Sequence, residues 1–300
     1  MKLSVVVTTW NAEAKIAQCL TSVSWADEII VVDSSSTDNT PRLAKRFTKH
    51  IFTRPNDPML NVNKNFGFEK ATGDWILSLD SDEEIPPALA REMKEKIAKE
   101  EASGYWITRK NIIFGKWITH AIWWPDPQLR LFRRGRGKFP EKHVHEYLQV
   151  EGKTETLAEP MIHYNYDTVS QFIYKMDALY TPSEVARLQA SGYRVVWYDA
   201  IRFPVSDFVK LYFAQGGYKD GLHGLVLAGL QAMYSLVVFA KLWEGEQFAE
   251  QEPTLGAVVR ELGGAGRDVG YWIRTAKIAN EKNPLVTLFL KIQRRLARIF

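Results

Sequence analysis

Residues 73–84 read GDWILSLDSDEE, and this stretch indicates more about the fold than any other. Trp75 to Leu79 has the length and apolar composition of a buried strand. The strand ends in two carboxylates two positions apart, Asp80 and Asp82. Ligands bind at the carboxyl edge of open α/β sheets, and carboxylate oxygens suit a hard divalent cation that holds phosphates. The pattern predicts such a site, although an acidic turn leading into a helix fits the same letters.

The neighbouring segments predict an α/β domain. Predicted strands at 3–7, 28–32, 50–53 and 75–79 alternate with predicted helices at 12–22, from a start at 37–41, at 61–71, and from Pro86 to about Glu101. This order predicts a mostly parallel sheet flanked by helices. From Gly104 to Tyr166 the pattern changes to short strands with aromatic and basic residues, and residues 170–190 have the spacing of an amphipathic helix.

The composition limits the class of protein. The chain has 300 residues, of which 46% are hydrophobic and 25% charged, so it is neither disordered nor fibrous. Its net charge of +4 indicates no large nucleic-acid surface. The single cysteine, Cys19, excludes an internal disulfide and falls at an apolar position of a predicted helix. The apolar run after Met1 is too short for a secretory signal, which predicts a cytoplasmic domain.

Several common cofactor motifs are absent from the sequence. No Gly-x-Gly-x-x-Gly follows the first strand, which argues against a dinucleotide-binding dehydrogenase. There is no Walker lysine loop either. One cysteine and scattered histidines lack the spacing of a zinc site.

Polar side chains stand instead at the ends of three predicted strands. They are Thr8, Thr9, Asn11 and Glu13 after the first strand, Asp33 after the second, and Asp80 and Asp82 after the fourth. Asp33 would accept a hydrogen bond from a nucleobase N–H or from a ribose hydroxyl. Arg130 lies opposite Leu129 and Leu131 on a short strand, where it would bind a donor diphosphate or an anionic acceptor, unless it is a solvated edge arginine.

Three blocks of the sequence carry a family resemblance. They are VVVTTWNAEAKIAQCLTSV at 5–23, IIVVDSSSTDNT at 29–40 and NKNFGFEKATGDWILSLDSDE at 63–83. Together they resemble the N-terminal half of the family 2 glycosyltransferases, over about residues 1–165. The resemblance implies the nucleotide-diphospho-sugar transferase fold (GT-A) and sugar transfer with inversion at the anomeric carbon.

The resemblance also implies roles for individual residues. Thr8, Thr9, Asn11, Glu13 and Asp33 would line the nucleoside pocket, with Lys64 near the nucleotide. Asp80 and Asp82 would hold Mg²⁺ or Mn²⁺ against the diphosphate of the donor. The metal would act as a Lewis acid and neutralise the charge that develops on the departing nucleoside diphosphate. His163 would complete the metal shell, as a late histidine does in some transferases of this fold, unless it is a plain strand histidine.

An inverting transfer needs a base for the acceptor hydroxyl. The family places an acidic residue, often an acidic pair, in the second half of the domain. This chain has no such pair there but has KHVHE at 142–146, and Glu146 is the candidate base. His145 would orient Glu146 or contact phosphate, unless it is structural. Asp126 is the second candidate for the base.

The C-terminal half resembles one group within the family, the lipopolysaccharide core transferases that add glucose to an inner-core heptose. The resemblance rests on HVHE and on FVKLYFAQGGYKDGLHGLVLAGLQAMYSLVVFAKLWE at 208–244. It implies a nucleotide-sugar donor, expected to be a UDP-sugar, and a lipid-linked glycan acceptor. Polyprenyl phosphate and O-antigen or capsule acceptors, used by other family members, remain open.

The same half predicts contact with a membrane. Residues 222–240 contain no charged side chain, and 205–243 are interpreted as helices lying on or partly in the membrane surface. A buried helix pair, a dimer interface or a true span are the alternatives. Gly263 to Gly266 predicts a flexible break before a basic amphipathic tail at 285–300, which would bind anionic lipid or be a solvated helix end.

The predicted organisation is therefore a GT-A catalytic domain at 1–166, a helical membrane-associating region at 167–250, and a linker and tail at 251–300. The protein is expected on the cytoplasmic face of the inner membrane. The sequence leaves its oligomeric state open.

Overall fold

The computed structural model describes residues 1–57, 59–141 and 147–296. The chain divides into two compact units. The first comprises Met1–Trp117 and Trp123–Asn165, and the second comprises Ile118–Ile122 and Tyr166–Phe300.

Short strands and four helices build the described part of the first unit. The strands are β1 Leu3–Thr9, β2 Glu28–Asp33, β3 His50–Thr53, β4 Trp75–Asp80, β5 Glu83–Glu84, β6 Gly104–Ile113, β7 Lys116–Trp117, β8 Pro127–Arg133, β9 Gly137–Lys138, β10 Gln149–Val150, β11 Thr154–Thr156 and β12 Met161–Tyr166, the last residue of which belongs to the second unit. The helices are α1 Ile16–Ser22, α2 Thr40–Ala44, α3 Leu60–Lys70 and α4 Pro87–Lys99. The predicted alternation of strands and helices up to residue 101 is confirmed.

The main sheet is mixed, so the prediction of a mostly parallel sheet is wrong. Its strand order is β3-β2-β1-β4-β8-β6-β12-β5, with β7 and β11 also paired to β6. Strands β3, β2, β1 and β4 are parallel to one another, whereas β8 runs antiparallel to both β4 and β6. No α-helix lies between β6 and β8 in the chain, and strands joined without a crossover helix pair antiparallel.

Strands β1, β2 and β4 are buried on both faces, which explains their continuous apolar sequences. Successive residues of β1 alternate between two hydrophobic clusters, with Val5 and Val7 in one and Val6 in the other. Cys19 lies in the first cluster, as predicted. Burial, followed by the nearby carboxylate of Glu83, raises the pKa of its thiol well above the usual value.

The described part of the second unit is mostly helical. Its helices are α5 Val169–Lys175, α6 Thr181–Ala190, α7 Asp199–Val209, α8 Leu222–Gly245, α9 Leu255–Asn280 and α10 Pro284–Leu296. A π-helical turn at Met176–Tyr180 joins α5 to α6, so the helix predicted over 170–190 is present as one continuous element.

Polar contacts fix the helices of this unit to one another. Arg202 of α7 donates to both carboxylate oxygens of Glu261 in α9, over 2.9 and 2.7 Å. Ser235 of α8 hydrogen-bonds the carboxylate of Asp207 in α7. Between these contacts Val238, Phe239 and Leu242 of α8 form a small apolar core with Val195.

The glycine run at 263–266 does not interrupt the chain, so the predicted flexible break is wrong. Gly263, Gly264 and Gly266 lie inside α9. A glycine in a helix interior costs about 1 kcal/mol relative to alanine. Just before the run, the bidentate pair of Arg202 with Glu261 joins α9 to α7.

Helix α8 contains the uncharged segment of the sequence. Among the described residues it is the one helix that is long and apolar enough to cross a membrane, and 33% of its most apolar window is buried within the protein. Core helices of soluble proteins meet the same two criteria. Length and composition therefore do not separate a span from a helix that lies on a surface.

Candidate active site

Three parallel strands bring polar side chains to one edge of the sheet. In the strand register, Thr9 of β1 pairs with Asp33 of β2, and Thr8 pairs with Asp80 of β4. The carboxyl ends of β2, β1 and β4 therefore meet at the same level. This is the edge at which the sequence predicts the ligand site.

Asp80 is held between two cations at this edge. Its Oδ1 lies 2.7 Å from Lys64 Nζ, and its Oδ2 lies 2.6 Å from Arg130 Nη2. Thr8 Oγ1 donates a longer hydrogen bond to Oδ1, over 3.3 Å. Burial alone would raise the pKa of Asp80, but Arg130 and Lys64 hold it well below its usual value. Asp80 is thus a carboxylate that orients two cationic side chains.

Lys64 reaches this position because helix α3 packs very closely against the sheet. A Cβ added to Gly67 would lie 2.4 Å from Val6 Cγ1, so this contact requires a glycine. Lys64 lies one turn earlier on the same helix. Burial lowers the pKa of its ammonium group, and the contact with Asp80 opposes that shift.

Arg130 projects from β8 and is only 4% exposed. The same Nη2 lies 2.8 Å from Oε1 of Glu83, which is itself 1% exposed. Burial would lower the pKa of Arg130, but Asp80 and Glu83 raise it above its usual value, so the guanidinium stays charged. Its Nε is buried and has no hydrogen-bond partner within residues 1–57, 59–141 and 147–296.

Glu83 is a member of this cluster that the sequence analysis missed. Besides pairing with Arg130, it accepts the backbone N–H of Asp80 through Oε2 over 2.8 Å. Read locally, the acidic residues at 83–84 look like the start of the helix at Pro86. The available signal was Arg130 itself, since a buried guanidinium needs a buried counter-charge.

Asp126, the second candidate for the base, is occupied by three donors. Its Oδ2 accepts from Arg109 Nε over 2.8 Å and from Asn111 Nδ2 over 3.1 Å, and its Oδ1 accepts from Gln128 Nε2 over 2.8 Å. Burial would raise the pKa of Asp126, but Arg109 and these hydrogen bonds lower it. A carboxylate so stabilised is a weak proton acceptor.

Asp82 lies opposite His163. The distance from His163 Nε2 to Asp82 Oδ2 is 3.7 Å, and His163 Nδ1 lies 2.6 Å from Asn111 Oδ1. A carboxylate oxygen and an imidazole nitrogen that face each other form a mixed donor set, which fits a divalent cation such as Mn²⁺. Asp80 faces Lys64 and Arg130 instead, and within residues 1–57, 59–141 and 147–296 no three acidic, histidine or cysteine side chains are arranged around one metal position.

The adjacent ends of β1 and β2 contain two buried polar atoms that have no hydrogen-bond partner among the described residues. They are Oδ1 of Asp33, a residue that is 1% exposed, and Oγ1 of Thr9, which is 4% exposed. Buried polar atoms in folded proteins are nearly always hydrogen-bonded. An unpaired acceptor and an unpaired hydroxyl at adjacent strand ends therefore indicate a place where a ligand supplies the partners.

Asn11 and Glu13 stabilise the loops beside this place. Asn11, in a left-handed backbone conformation with φ 46°, accepts the N–H of Thr37 over 2.8 Å. Glu13 accepts both the N–H and the side-chain amide of Asn39, each over 3.0 Å. These two side chains connect the loop after β1 to the loop after β2.

Glu146 and His145 lie outside the described residues, so the structure does not describe the candidate base. All other predicted site residues lie in the first unit. Asp80 is in direct contact with Thr8, Lys64 and Arg130. Asp82 and His163 form a second pair. The neighbouring strand ends and loops contain Thr9, Asp33, Asn11 and Glu13.

With this geometry described, the chain can be compared with known proteins. Residues 4–149 match the family model of Glycosyl transferase family 2. The chain carries a family 2 glycosyltransferase domain. Its mixed sheet flanked by helices is a GT-A-like fold.

Individual relatives extend the match beyond that domain. The chain is 27% identical over 255 residues to the lipopolysaccharide core biosynthesis glycosyltransferase LpsC of Rhizobium meliloti (strain 1021), covering 81% of this chain and 93% of that protein. An uncharacterized glycosyltransferase of Rickettsia felis is 26% identical over 263 residues, covering 81% and 90%. The predicted relation to family 2 and its lipopolysaccharide core transferases is thereby confirmed.

Among solved structures, S. aureus TarS 1–349 aligns with a TM-score of 0.44 and 18% identity, covering 85% of this chain and 95% of that one.

Proposed function

We propose that this protein transfers a sugar, glucose, from a UDP-sugar to a lipid-linked glycan such as the lipopolysaccharide inner core, with inversion at the anomeric carbon. The glycosyltransferase class follows from the family. The observation that supports the donor is the cluster at the carboxyl edge of β4, where two cations meet beside an unpaired acceptor at the end of β2. The acceptor class rests on the similarity to LpsC.

The two cations supply what a diphosphate needs. Lys64 is a point charge, while the planar guanidinium of Arg130 binds two oxygens of a phosphate in a fork. In the described structure both are oriented by Asp80. We propose that the donor diphosphate binds against Lys64 and Arg130, and that Asp33 and Thr9 bind the nucleoside.

A divalent cation, Mg²⁺ or Mn²⁺, completes the proposal. When bound, it would neutralise the charge that develops on the departing nucleoside diphosphate. Asp82 and His163 are the side chains best placed to hold it, since their donor atoms are 3.7 Å apart. Asp80 would join them on release of its contacts with Lys64 and Arg130.

The proton of the attacking hydroxyl needs a base, and Glu146 remains the proposal for this role. Asp126 is the weaker candidate, because three hydrogen-bond donors already bind its carboxylate oxygens. Direct displacement by a deprotonated acceptor hydroxyl on the face opposite the leaving group inverts the anomeric centre.

The donor proposal predicts selective stabilisation by a nucleotide sugar. UDP-glucose with Mn²⁺ should raise the melting temperature of the protein, because a ligand at 100 times its Kd adds about 2.7 kcal/mol to the free energy of unfolding. The measurement is differential scanning fluorimetry across UDP-, GDP-, ADP- and CMP-sugars, with and without EDTA. Equal shifts for all nucleotides, or none for any of them, would contradict the assignment of this pocket to a UDP-sugar.

The second unit supports a peripheral position on the cytoplasmic face of the membrane. On α10 the side chains of Leu285, Leu288, Phe289 and Ile292 are 51–76% exposed and recur at helical spacing. The basic residues Lys291 and Arg295 of the same helix are exposed as well. An exposed apolar stripe beside cations is the pattern of a helix that lies in the interface of an anionic membrane.

Replacing one residue of that stripe should weaken membrane binding. Leu288→Glu removes an apolar side chain worth about 1.5–3 kcal/mol on burial and adds a charge that anionic lipid repels. We expect at least roughly tenfold weaker partitioning onto phosphatidylethanolamine–phosphatidylglycerol vesicles in a sedimentation assay, by the 1.4 kcal/mol-per-decade relation.

The matched control is Gln293→Glu, which adds the same charge to the same helix at a half-buried position outside the stripe. It should lose much less binding than Leu288→Glu. If both variants bind as the wild type does, α10 is not the membrane contact.

A further inference from the structure

The two ring nitrogens of His163 face neighbours of different chemistry. It is 7% exposed on β12, with Nδ1 2.6 Å from Asn111 Oδ1 and Nε2 3.7 Å from Asp82 Oδ2. The first distance is that of a strong hydrogen bond, and the second is too long for one. The family assignment gives Asn111 no role, and the sequence analysis did not identify it.

The side-chain amide of Asn111 has only one orientation that satisfies its neighbours. Its Nδ2 lies 2.8 Å from the carbonyl oxygen of Trp123 and 3.1 Å from Oδ2 of Asp126. Both are acceptors only, so the atom facing them must be the amide nitrogen, which donates. The oxygen of the amide therefore faces His163, and Asn111 is 1% exposed, so water does not compete for it.

This orientation decides the tautomer of His163. Because Asn111 Oδ1 can only accept, Nδ1 of the imidazole must carry a proton and donate it. A neutral imidazole has one N–H, so its Nε2 then carries a lone pair. That lone pair is on the side of the Asp82 carboxylate, 3.7 Å away. Two electron-rich atoms facing each other repel. A proton on Nε2 removes the repulsion when the ring is an imidazolium, and a metal cation between the two atoms removes it when the ring is neutral.

We propose that Asn111 is a positioning residue, held by Asp126 and the Trp123 carbonyl, that locks His163 in the Nδ1–H tautomer so that Nε2 and Asp82 bind the divalent cation together. This inference rests on the proposed function, since that cation is the one that would hold the donor diphosphate. Groups that orient a metal-binding histidine in this way typically contribute 10- to 100-fold in metal affinity.

Arg109 extends the same chain of contacts. Its Nε donates to Asp126 over 2.8 Å, and its Nη1 lies 3.9 Å from Glu83 Oε1. Asp126 is thereby kept as a carboxylate and turned towards Asn111. A chain of contacts therefore runs from Glu83 through Arg109, Asp126 and Asn111 to His163. Glu83 contacts the backbone of Asp80 and His163 faces Asp82, so the chain connects the two aspartates.

The tautomer can be read directly, without turnover. In metal-free full-length protein labelled with ¹⁵N-histidine, two-dimensional ¹⁵N NMR at pH 9 distinguishes Nδ1–H from Nε2–H, and His163→Gln assigns the signal. We expect the wild type to show Nδ1–H at His163. In Asn111→Leu the ring should change to Nε2–H, because the acceptor that the described residues then offer its proton is the Asp82 carboxylate.

Titration calorimetry with Mn²⁺ provides the second measurement. Asn111→Leu should weaken Mn²⁺ binding by about 10- to 100-fold. The charge-conserving exchange Asn111→Asp with Asp126→Asn keeps an acceptor on the Nδ1 side, so it should retain the Nδ1–H tautomer and most of the affinity. This second variant keeps the test valid if the leucine variant does not fold.

Three outcomes would overturn a part of this account, and each is distinct. An Nε2–H tautomer in the wild type would overturn the positioning role of Asn111. A wild-type protein that binds Mn²⁺ with an affinity unchanged in Asn111→Leu would overturn the link to the cation while leaving the proposed function intact. A wild type with the Nδ1–H tautomer that binds no Mn²⁺, even with UDP present, would overturn the metal step of the proposed function itself.

Discussion

Asp82→Asn should lower the rate of sugar transfer by roughly 10²–10³-fold while the protein stays folded. A bound divalent cation supplies several kcal/mol of charge stabilisation in the transition state, and each 1.36 kcal/mol is tenfold in rate. The carboxylate of Asp82 lies 3.7 Å from Nε2 of His163. An amide in its place is nearly the same size but carries no charge to hold the cation.

The measurement is kcat/KM for donor turnover as a function of Mn²⁺ concentration, together with the melting temperature. Asp74→Asn is the matched control, because Asp74 lies at the opposite end of β4, is exposed, and accepts the N–H of Lys2. The control should turn over normally. Undiminished turnover of Asp82→Asn that also resists EDTA would remove the metal from the mechanism.

Arg130→Met should destabilise the protein by about 3–5 kcal/mol, the usual cost of leaving a buried charge without its partner. Glu83 is 1% exposed and loses its nearest cation in this variant, and Asp80 loses one of two. Glu83 keeps the backbone N–H of Asp80, but the other cation near it, Arg109 Nη1 at 3.9 Å, is too distant to replace Arg130. The free energy of unfolding is measured by urea denaturation followed by circular dichroism.

Two further variants separate this effect from a general loss of charge. Arg134→Met changes an exposed arginine and should stay within about 0.5 kcal/mol of the wild type. Adding Glu83→Gln to Arg130→Met removes the unpaired buried charge and should recover part of the lost stability. If Arg130→Met unfolds at the same urea concentration as Arg134→Met, the buried ion pair does not support the fold.

The strands of the first unit could be predicted from the sequence because their sequence pattern is local. A run such as Trp75 to Leu79 is apolar at every position, as a strand covered on both faces must be. The direction of β8 could not be predicted in the same way. It depends on whether a crossover helix precedes the strand, and pairing between distant segments does not appear in any local pattern.

Some residues of the candidate site could likewise be predicted from local sequence, and others depend on contacts between distant segments. Thr8, Asp33, Asp80 and Asp82 follow apolar runs directly, so their position at the strand edge could be predicted. Glu83 could not, because its burial depends on Arg130, which lies 47 positions later in the chain. Asn111 stands inside β6, where polar residues usually face solvent, and only the fold brings His163 against it.

The glycine run in α9 shows a limit of residue preference. Three glycines in four positions predict a break, yet the helix continues through them. Preference for a conformation amounts to about 1 kcal/mol per glycine, and α9 lies against both α7 and α10. Where tertiary contacts of this kind exist, the local preference does not decide the structure.

The most direct test of the central claim is an NMR spectrum of the reaction product. UDP-glucose, Mn²⁺ and a deacylated lipopolysaccharide core acceptor are incubated with the full-length protein, and the anomeric proton of the transferred sugar is recorded. The account predicts a β-linked glucose from the α-linked donor, formed only with a divalent cation and absent with Asp82→Asn. An α-linked product, or no transfer from any nucleotide sugar to core, polyprenyl-phosphate, O-antigen or capsule acceptors, would contradict it.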